Sequence, residues 1–463
     1  MAAVTGAHSN LTGLRSFLRS REVLSRLLAR PMVFGSLIPI VTVLNAVVGM
    51  LLPKLMVPRI FGEYSLVVTL FNYGLIFDFG VSQIIDREIP AKLGLGRSEL
   101  ARKIADRLLW VRLIIAAVTF VSACAALAVL ARTDRLPFGL AAGVLATFAG
   151  LADMVALGPA CIYRANSQRR AYALRIAILL SGLIFARLGG LIAGGVDGCF
   201  AALSIWYVGC GFWFHRNMPL RAAERPTRRE TASFIAQGMP FFTTAIIWSF
   251  YVTENRWVAS FLIPPDQFGQ FAFSANIFSL LVGAAGGFSA FYYPKVVERI
   301  AGGGAWSMSR ALTRDLAAVV GATVVVMAVG VALAGSVVPV VYPGYASGIT
   351  TIRVILVAVP PMVLASWLMP ISLSVGNRPL IDGLIIFPVA AISLAVAMSL
   401  FYGRSGDAGA AWASTISAFA LIAMQLLMLR YTKVLRAVDA CVMLFSCIVG
   451  CSLIALLAWS FGA

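Results

Sequence analysis

The chain has 463 residues, 60% of them hydrophobic and only 12% charged, with a mean hydropathy of +0.91. Soluble domains carry about 25% charged residues, so an ordinary soluble globule is excluded. The formal charge of +18 does not indicate nucleic acid, because the cations sit in short stretches between long apolar runs. That is the pattern of a polytopic membrane protein whose basic loops face an anionic cytoplasmic leaflet.

Residues 1–32 contain Arg15, Arg19, Arg21, Arg26 and Arg30 but no separate short apolar core. They read as a cytoplasmic basic segment, not as a cleaved signal. A helix needs about 20 apolar residues to cross a hydrocarbon core of about 30 Å. Spans of that kind fall at 33–57, 65–86, 108–130, 138–162, 172–194, 196–215, 233–255, 268–292, 315–340, 350–374, 381–401, 408–429 and 439–460. The expected fold is an all-α polytopic membrane protein with about 12–14 transmembrane helices in two six-helix lobes around a central cavity. The N-lobe would occupy 33–215, a cytoplasmic linker 216–232, the C-lobe 233–430, and an additional C-terminal helix 431–463.

Charge orients these spans. With a cytoplasmic N-terminus, the inside segments hold 28 of the 37 Lys and Arg residues, the bias of the positive-inside rule. Seven cysteines follow no metal spacing and lie in or beside apolar runs, where Cys behaves as a small hydrophobe. No metal, cofactor or catalytic residue is expected.

The chain also repeats itself. Pro58-Arg59-Ile60-Phe61-Gly62-Glu63-Tyr64 follows the first span, and Pro264-Pro265-Asp266-Gln267-Phe268-Gly269-Gln270-Phe271 follows the seventh. Both place Phe-Gly, one polar residue and an aromatic at an external turn into the next helix, about 207 residues apart. Six spans return the chain to its starting side, so the halves would share one orientation about an axis along the membrane normal.

The stretches LLPKLMVPRIFGEYSLVVTLFNYGLIFDFGVSQIIDREIPAKLG (51–94) and FIAQGMPFFTTAIIWSFYVTENRWVASFLIPPDQFGQFAFSANIFSLL (234–281) resemble the polysaccharide transport family. These are O-antigen and exopolysaccharide lipid-linked oligosaccharide flippases within the MATE-like superfamily. Asp78-Phe79-Gly80 is similar to an acidic-Phe/Leu-Gly step late in the family's second helix. The resemblance implies a polyprenyl-diphosphate-linked oligosaccharide as substrate in a bacterial inner membrane. A gradient of H+ or Na+ and a polysaccharide polymerase or export complex enter as further candidate partners; nucleic acid is not among them.

Charge inside a span is expensive, so it marks candidate sites. Arg187, Arg256, Lys54, Arg112 and Arg353 are candidates for a cationic cavity that binds diphosphate, because Arg pairs well with phosphate oxygens. Their alternative is snorkelling, which carries the charge to the headgroups. Asp78 and Asp153 are candidates for proton coupling or for a salt bridge that breaks during alternation, or else buried carboxyls protonated by desolvation or bonded to a neighbouring helix. Asp86 and Arg87, with Glu88, read as an interfacial ion-pair cluster or an inner gate. No G-x-x-x-x-G-K-[ST] run is present, which argues against an ATP-driven pump. The inner loops lack the paired carboxylates of a membrane glycosyltransferase, and no Gly-rich channel filter appears. A secondary transporter remains, either the flippase or a cation-coupled multidrug exporter. The excess of intramembrane Arg over Asp favours the flippase.

Overall fold

A computed structural model describes residues 31–220, 224–303, 305–375, 382–432 and 435–461. The basic segment expected at 1–32 falls outside these, except for its last two residues. So do most of the 375–380 loop and Lys433.

The first half comprises α1 (Pro31–Leu51, continued by a 3-10 turn Leu52–Leu55), α2 (Pro58–Ile76), α3 (Val81–Gly94), α4 (Ser98–Arg132), α5 (Leu140–Ala165) and α6 (Arg169–Arg216). The second comprises α7 (Arg228–Leu262), α8 (Pro265–Gly303), α9 (Ala305–Val341), α10 (Ile349–Val357), α11 (Val359–Val375) and α12 (Phe387–Tyr431), followed by α13 (Ala437–Ser460). The described residues form no strand.

Several boundaries follow from local chemistry. Pro58 opens α2, where a missing N–H costs nothing. Phe61 and Gly62 therefore lie inside the first helical turns and not in the turn before the helix. Thr227 and Glu230 form a reciprocal capping box at the start of α7. The span expected at 65–86 is interrupted: Phe79 and Gly80 have φ of 50° and 74°, and the chain restarts as α3. Asp78 supports that restart, its Oδ1 accepting from Gly80 N (2.9 Å) and its Oδ2 from Ser82 N (3.0 Å).

At 1.5 Å per residue, the 48 residues of α6 would extend about 70 Å as one rod, more than twice the hydrocarbon core. Instead the chain breaks at Gly194 and Gly195, and α12 breaks likewise at Ser405 and Gly406. Gly195 (φ 62°, ψ −146°) and Gly406 (φ 57°, ψ −140°) adopt nearly the same backbone, a region open essentially to glycine alone. In α6 the two arms fold back on each other, and Trp206 Nε1 donates to Ile178 O across the hairpin (3.2 Å). In α12, Ser417 Oγ donates to Ala390 O (2.8 Å). The two halves thus end in matching helical hairpins.

Among the described residues, nine helices are long and apolar enough to cross a membrane. The pair Pro343–Val357 and Val359–Met369, bent by 41°, makes ten. Each hairpin counts there as a single helix, and the Ile40–Leu55 part of the first helix is among the shorter apolar helices. Outward faces carry exposed apolar side chains such as Ile192, Ile205, Phe212 and Val340, each more than 70% exposed. Patches on that scale are tolerable only against lipid or another apolar surface.

Contacts within each half are extensive: α5 packs on α6 and on α2, and α12 on α7 and α11. The halves meet mainly where α2 lies along α8, with α3 also reaching α7. Phe61 sits at that seam between Tyr345 (centroids 5.9 Å) and Phe273 (6.3 Å), the latter two themselves in contact.

Candidate functional site

The seam is held at two places by glycines. A Cβ on Gly62 would lie 3.2 Å from the Cα and N of Gly269 and 2.8 Å from Phe268 Cδ1. A Cβ on Gly269 would collide with the carbonyl of Pro58. Farther along, Gly80 and Gly238 approach so closely that a Cβ on either would strike the other's backbone or that of Phe79. Phe79 there stacks on Phe242 (4.3 Å, 11°). Between these two pinch points lies a polar band.

Two of the five candidate cations lie on helices that border that band. Arg187, on the first arm of α6, donates Nε to Leu183 O (2.8 Å) and directs NH1 at the Tyr64 hydroxyl (3.4 Å). Arg256, on α7 of the other lobe, is 4% exposed and donates to Ala275 O (3.3 Å) and Ser279 Oγ (2.9 Å). Only Arg187 bonds the Tyr64 hydroxyl; Arg256 is held by Ala275 and Ser279 of α8. Neither has a carboxylate partner among the described residues, and Arg256 Nε makes no hydrogen bond. Glu254, two residues away, does not pair with Arg256. It is 5% exposed with Oε2 unpartnered. Tyr73 completes the band, sharing a hydrogen bond with Thr253 (2.7 Å) and accepting one from Trp257 Nε1 (3.1 Å).

The other three cations are placed elsewhere. Arg112, 1% exposed, donates NH2 to Asp78 Oδ2 (3.2 Å) and Ser82 Oγ (3.0 Å) inside the N-lobe. Arg353 donates NH1 to Phe461 O (2.5 Å) with its guanidinium over the Phe461 ring, joining α10 to the end of α13. Lys54 is exposed, with Nζ 5.6 Å from the centroid of Tyr342.

The acidic candidates divide similarly. Asp78 serves both Arg112 and the start of α3. Asp153 faces the Tyr207 hydroxyl between α5 and α6, without a hydrogen bond of good geometry. Asp86 is bound by Arg164 of α5 through Nε (3.0 Å) and NH2 (2.5 Å), not by Arg87, which is exposed. Glu88 pairs with Lys92 (3.7 Å). No metal-binding cluster of His, Cys, Asp and Glu occurs among the described residues.

Sequence reasoning missed a second ionic knot. Lys103 (2.9 Å) and Arg107 (2.8 Å) of α4 bind Glu224 of the linker, and Arg107 also binds Glu230 at the start of α7 (2.5 Å). This ties the N-lobe to the entry of the C-lobe. The Lys103 ammonium, then Arg107, holds the Glu224 carboxyl below its usual range. Glu224 lies in a basic linker, where its single negative charge gave no pattern to notice. Tyr64, by contrast, was visible as the aromatic of the repeated turn.

A scan of protein-family models found no match, and a search of curated proteins found none either. Solved structures do match, over nearly the whole chain. The lipid II flippase MurJ in an inward closed conformation superposes with a TM-score of 0.60 at 13% identity, covering 92% of this chain and 98% of that one. The eukaryotic MATE transporter AtDTX14 gives 0.62 at 11%, covering 95% and 99%. An inward-facing multidrug resistance MATE family transporter of the MOP superfamily gives 0.56 at 14%, covering 86% and 95%. The chain has the MATE-like fold shared by these flippase and transporter structures.

Proposed function

We propose that this chain is a secondary transporter that flips a polyprenyl-diphosphate-linked oligosaccharide across the inner membrane by alternating access. The reading rests on one observation: Arg187 of one half, hydrogen-bonded to Tyr64, and buried Arg256 of the other both lack a carboxylate partner among the described residues. A guanidinium removed from water and left unpaired is costly, so a site that retains two is suited to an anion. A diphosphate supplies acceptor oxygens that both can engage, and the lobes could then exchange contacts with it as the seam opens on alternate sides. Paired Arg112 and anchored Arg353 have little left to offer a substrate, so the binding role falls on Arg187 and Arg256. Tyr64 positions Arg187, and Ser279 positions Arg256. Asp153 and Asp78 stay proposed coupling or gating groups, as do Asp86 and Arg87 at the basic end. The basic loops support a cytoplasmic N-terminus.

The lipid II flippase in the shared fold is consistent with a lipid-linked substrate, and the multidrug transporter with the other reading. One feature favours that second reading: Glu254 is a buried carboxylate with a free oxygen, suited to a cation. The two are separated by complementing a deletion strain with Arg187→Ala and Arg256→Ala and measuring lipid-linked repeat units. Accumulation of repeats at normal protein level supports the flippase. Full complementation, or drug sensitivity without a glycan defect, overturns it.

A further inference from the structure

Away from the seam, a cleft of about 440 Å³ opens in the N-lobe between α4, α5, the second arm of α6 and the linker. Its inner part is lined by Leu109, Leu113, Val155, Pro159 and Gly211. Its charged and polar side chains, Asp106, His215 and Arg225, lie at the end of the bundle that carries the basic loops. None of the seam residues contributes. Leu113 on the lining and Phe212 beside it are exposed, so the cleft faces the surrounding lipid. Such a volume is within the range of ligand clefts, about 300–1,000 Å³.

Most charges at its mouth are already taken up in ion pairs. Glu224 and Glu230 are taken by Lys103 and Arg107, and Glu99 by Lys103. Arg225 is left stacked over the Trp110 ring (4.8 Å to the centroid), with no carboxylate partner among the described residues. Exposed Arg216 adds a further cation beside His215. Asp106 is the one carboxylate in the lining, and it is buried and already engaged. An apolar cleft open to lipid, with Arg225 left without a described carboxylate partner at its basic-loop end, complements a molecule with an acyl chain and an anionic headgroup.

We propose that this cleft binds an anionic glycerophospholipid of the surrounding bilayer, its acyl chain along Leu109, Leu113 and Pro159 and its phosphate at Arg225 and His215. The site is separate from the transport seam. Its lipid would brace the linker, through Arg225, against the N-lobe.

The test uses the full-length protein in phosphatidylcholine nanodiscs containing phosphatidylglycerol with brominated acyl chains, which quench nearby tryptophan. The signal is the emission of Trp110, taken as the difference from Trp110→Phe. Half-maximal quenching should need about fivefold less brominated phosphatidylglycerol than brominated phosphatidylcholine for each basic contact. Arg225→Gln should remove that preference and Arg225→Lys should keep it. Gly211→Phe should block quenching by either lipid, since a Cβ there meets only Ala156, at 3.5 Å and beyond. Equal quenching by the two lipids would mean annular lipid only and would overturn the proposal. So would an undiminished preference in Arg225→Gln, with Gly211→Phe still quenched. Displacement of brominated phosphatidylglycerol by a polyprenyl diphosphate at a far lower mole fraction than unlabelled phosphatidylglycerol requires would overturn it and assign the cleft to the carried lipid instead.

Discussion

Gly62 and Gly269, equivalent residues of a turn repeated 207 positions apart, lie directly against each other at the seam between the lobes. A duplicated element that contacts its own copy is what a two-fold relation between halves produces, as in isologous subunit interfaces. Because each backbone occupies the space where the other's side chain would stand, the seam tolerates no added atoms here.

Gly269→Ala should therefore destabilise the closed seam by about 1–3 kcal/mol, the usual cost of overpacking. Gly62→Ala should act in the same direction, more weakly where Phe268 can rotate away. Gly283→Ala is the control, because a Cβ there meets nothing within 4 Å. Thermal unfolding in detergent reads the difference; equal midpoints for Gly269→Ala and Gly283→Ala would contradict the close approach.

Arg112 and Asp78 form a buried pair, with side chains 1% and 12% exposed. Removing one partner strands the other, so Arg112→Ala should lose about 3–5 kcal/mol of stability. The double variant Arg112→Met with Asp78→Asn should recover part of that loss, because no uncompensated charge remains. A double-mutant cycle with no coupling would show that the pair carries no net interaction.

Arg353 distinguishes an anchor from a substrate ligand. If its work is holding Phe461, Arg353→Ala should loosen the end of α13 and speed proteolysis there. On the proposed function, repeat-unit export should persist in proportion to the protein remaining. Loss of export at full protein level and unchanged proteolysis would return Arg353 to the binding residues.

The Glu224 knot gives a pH signature. Its carboxyl is held below the usual range by Lys103 and Arg107, so the stabilisation is fully present above the ordinary carboxyl range near about 4.3. It disappears as pH falls through the depressed folded-state value. Midpoints measured downward from pH 6 should thus fall less steeply below about pH 4.3 in Glu224→Gln than in the parent. Parallel curves would place the acid sensitivity elsewhere.

The sequence by itself determined the membrane character, the order of the spans and the duplication. Hydropathy is a local property, and a run of apolar residues has few places to go except lipid. Even the break near 194–195 was legible, because consecutive glycines between two apolar runs supply a backbone few other residues reach. The charged residues were another matter. Arg112, Arg187 and Arg353 each read as a cation within or beside an apolar span, yet one is neutralised by Asp78, one meets Tyr64 at the seam, and one holds the carbonyl of Phe461. Those fates depend on which helix faces which, and at what height. Helix register is set by side-chain packing between segments separated by 34 residues for Asp78 and Arg112, 108 for Arg353 and Phe461, and 123 for Tyr64 and Arg187. Only the tertiary structure decided that Arg187 and Arg256, from opposite halves, have no carboxylate partner among the described residues.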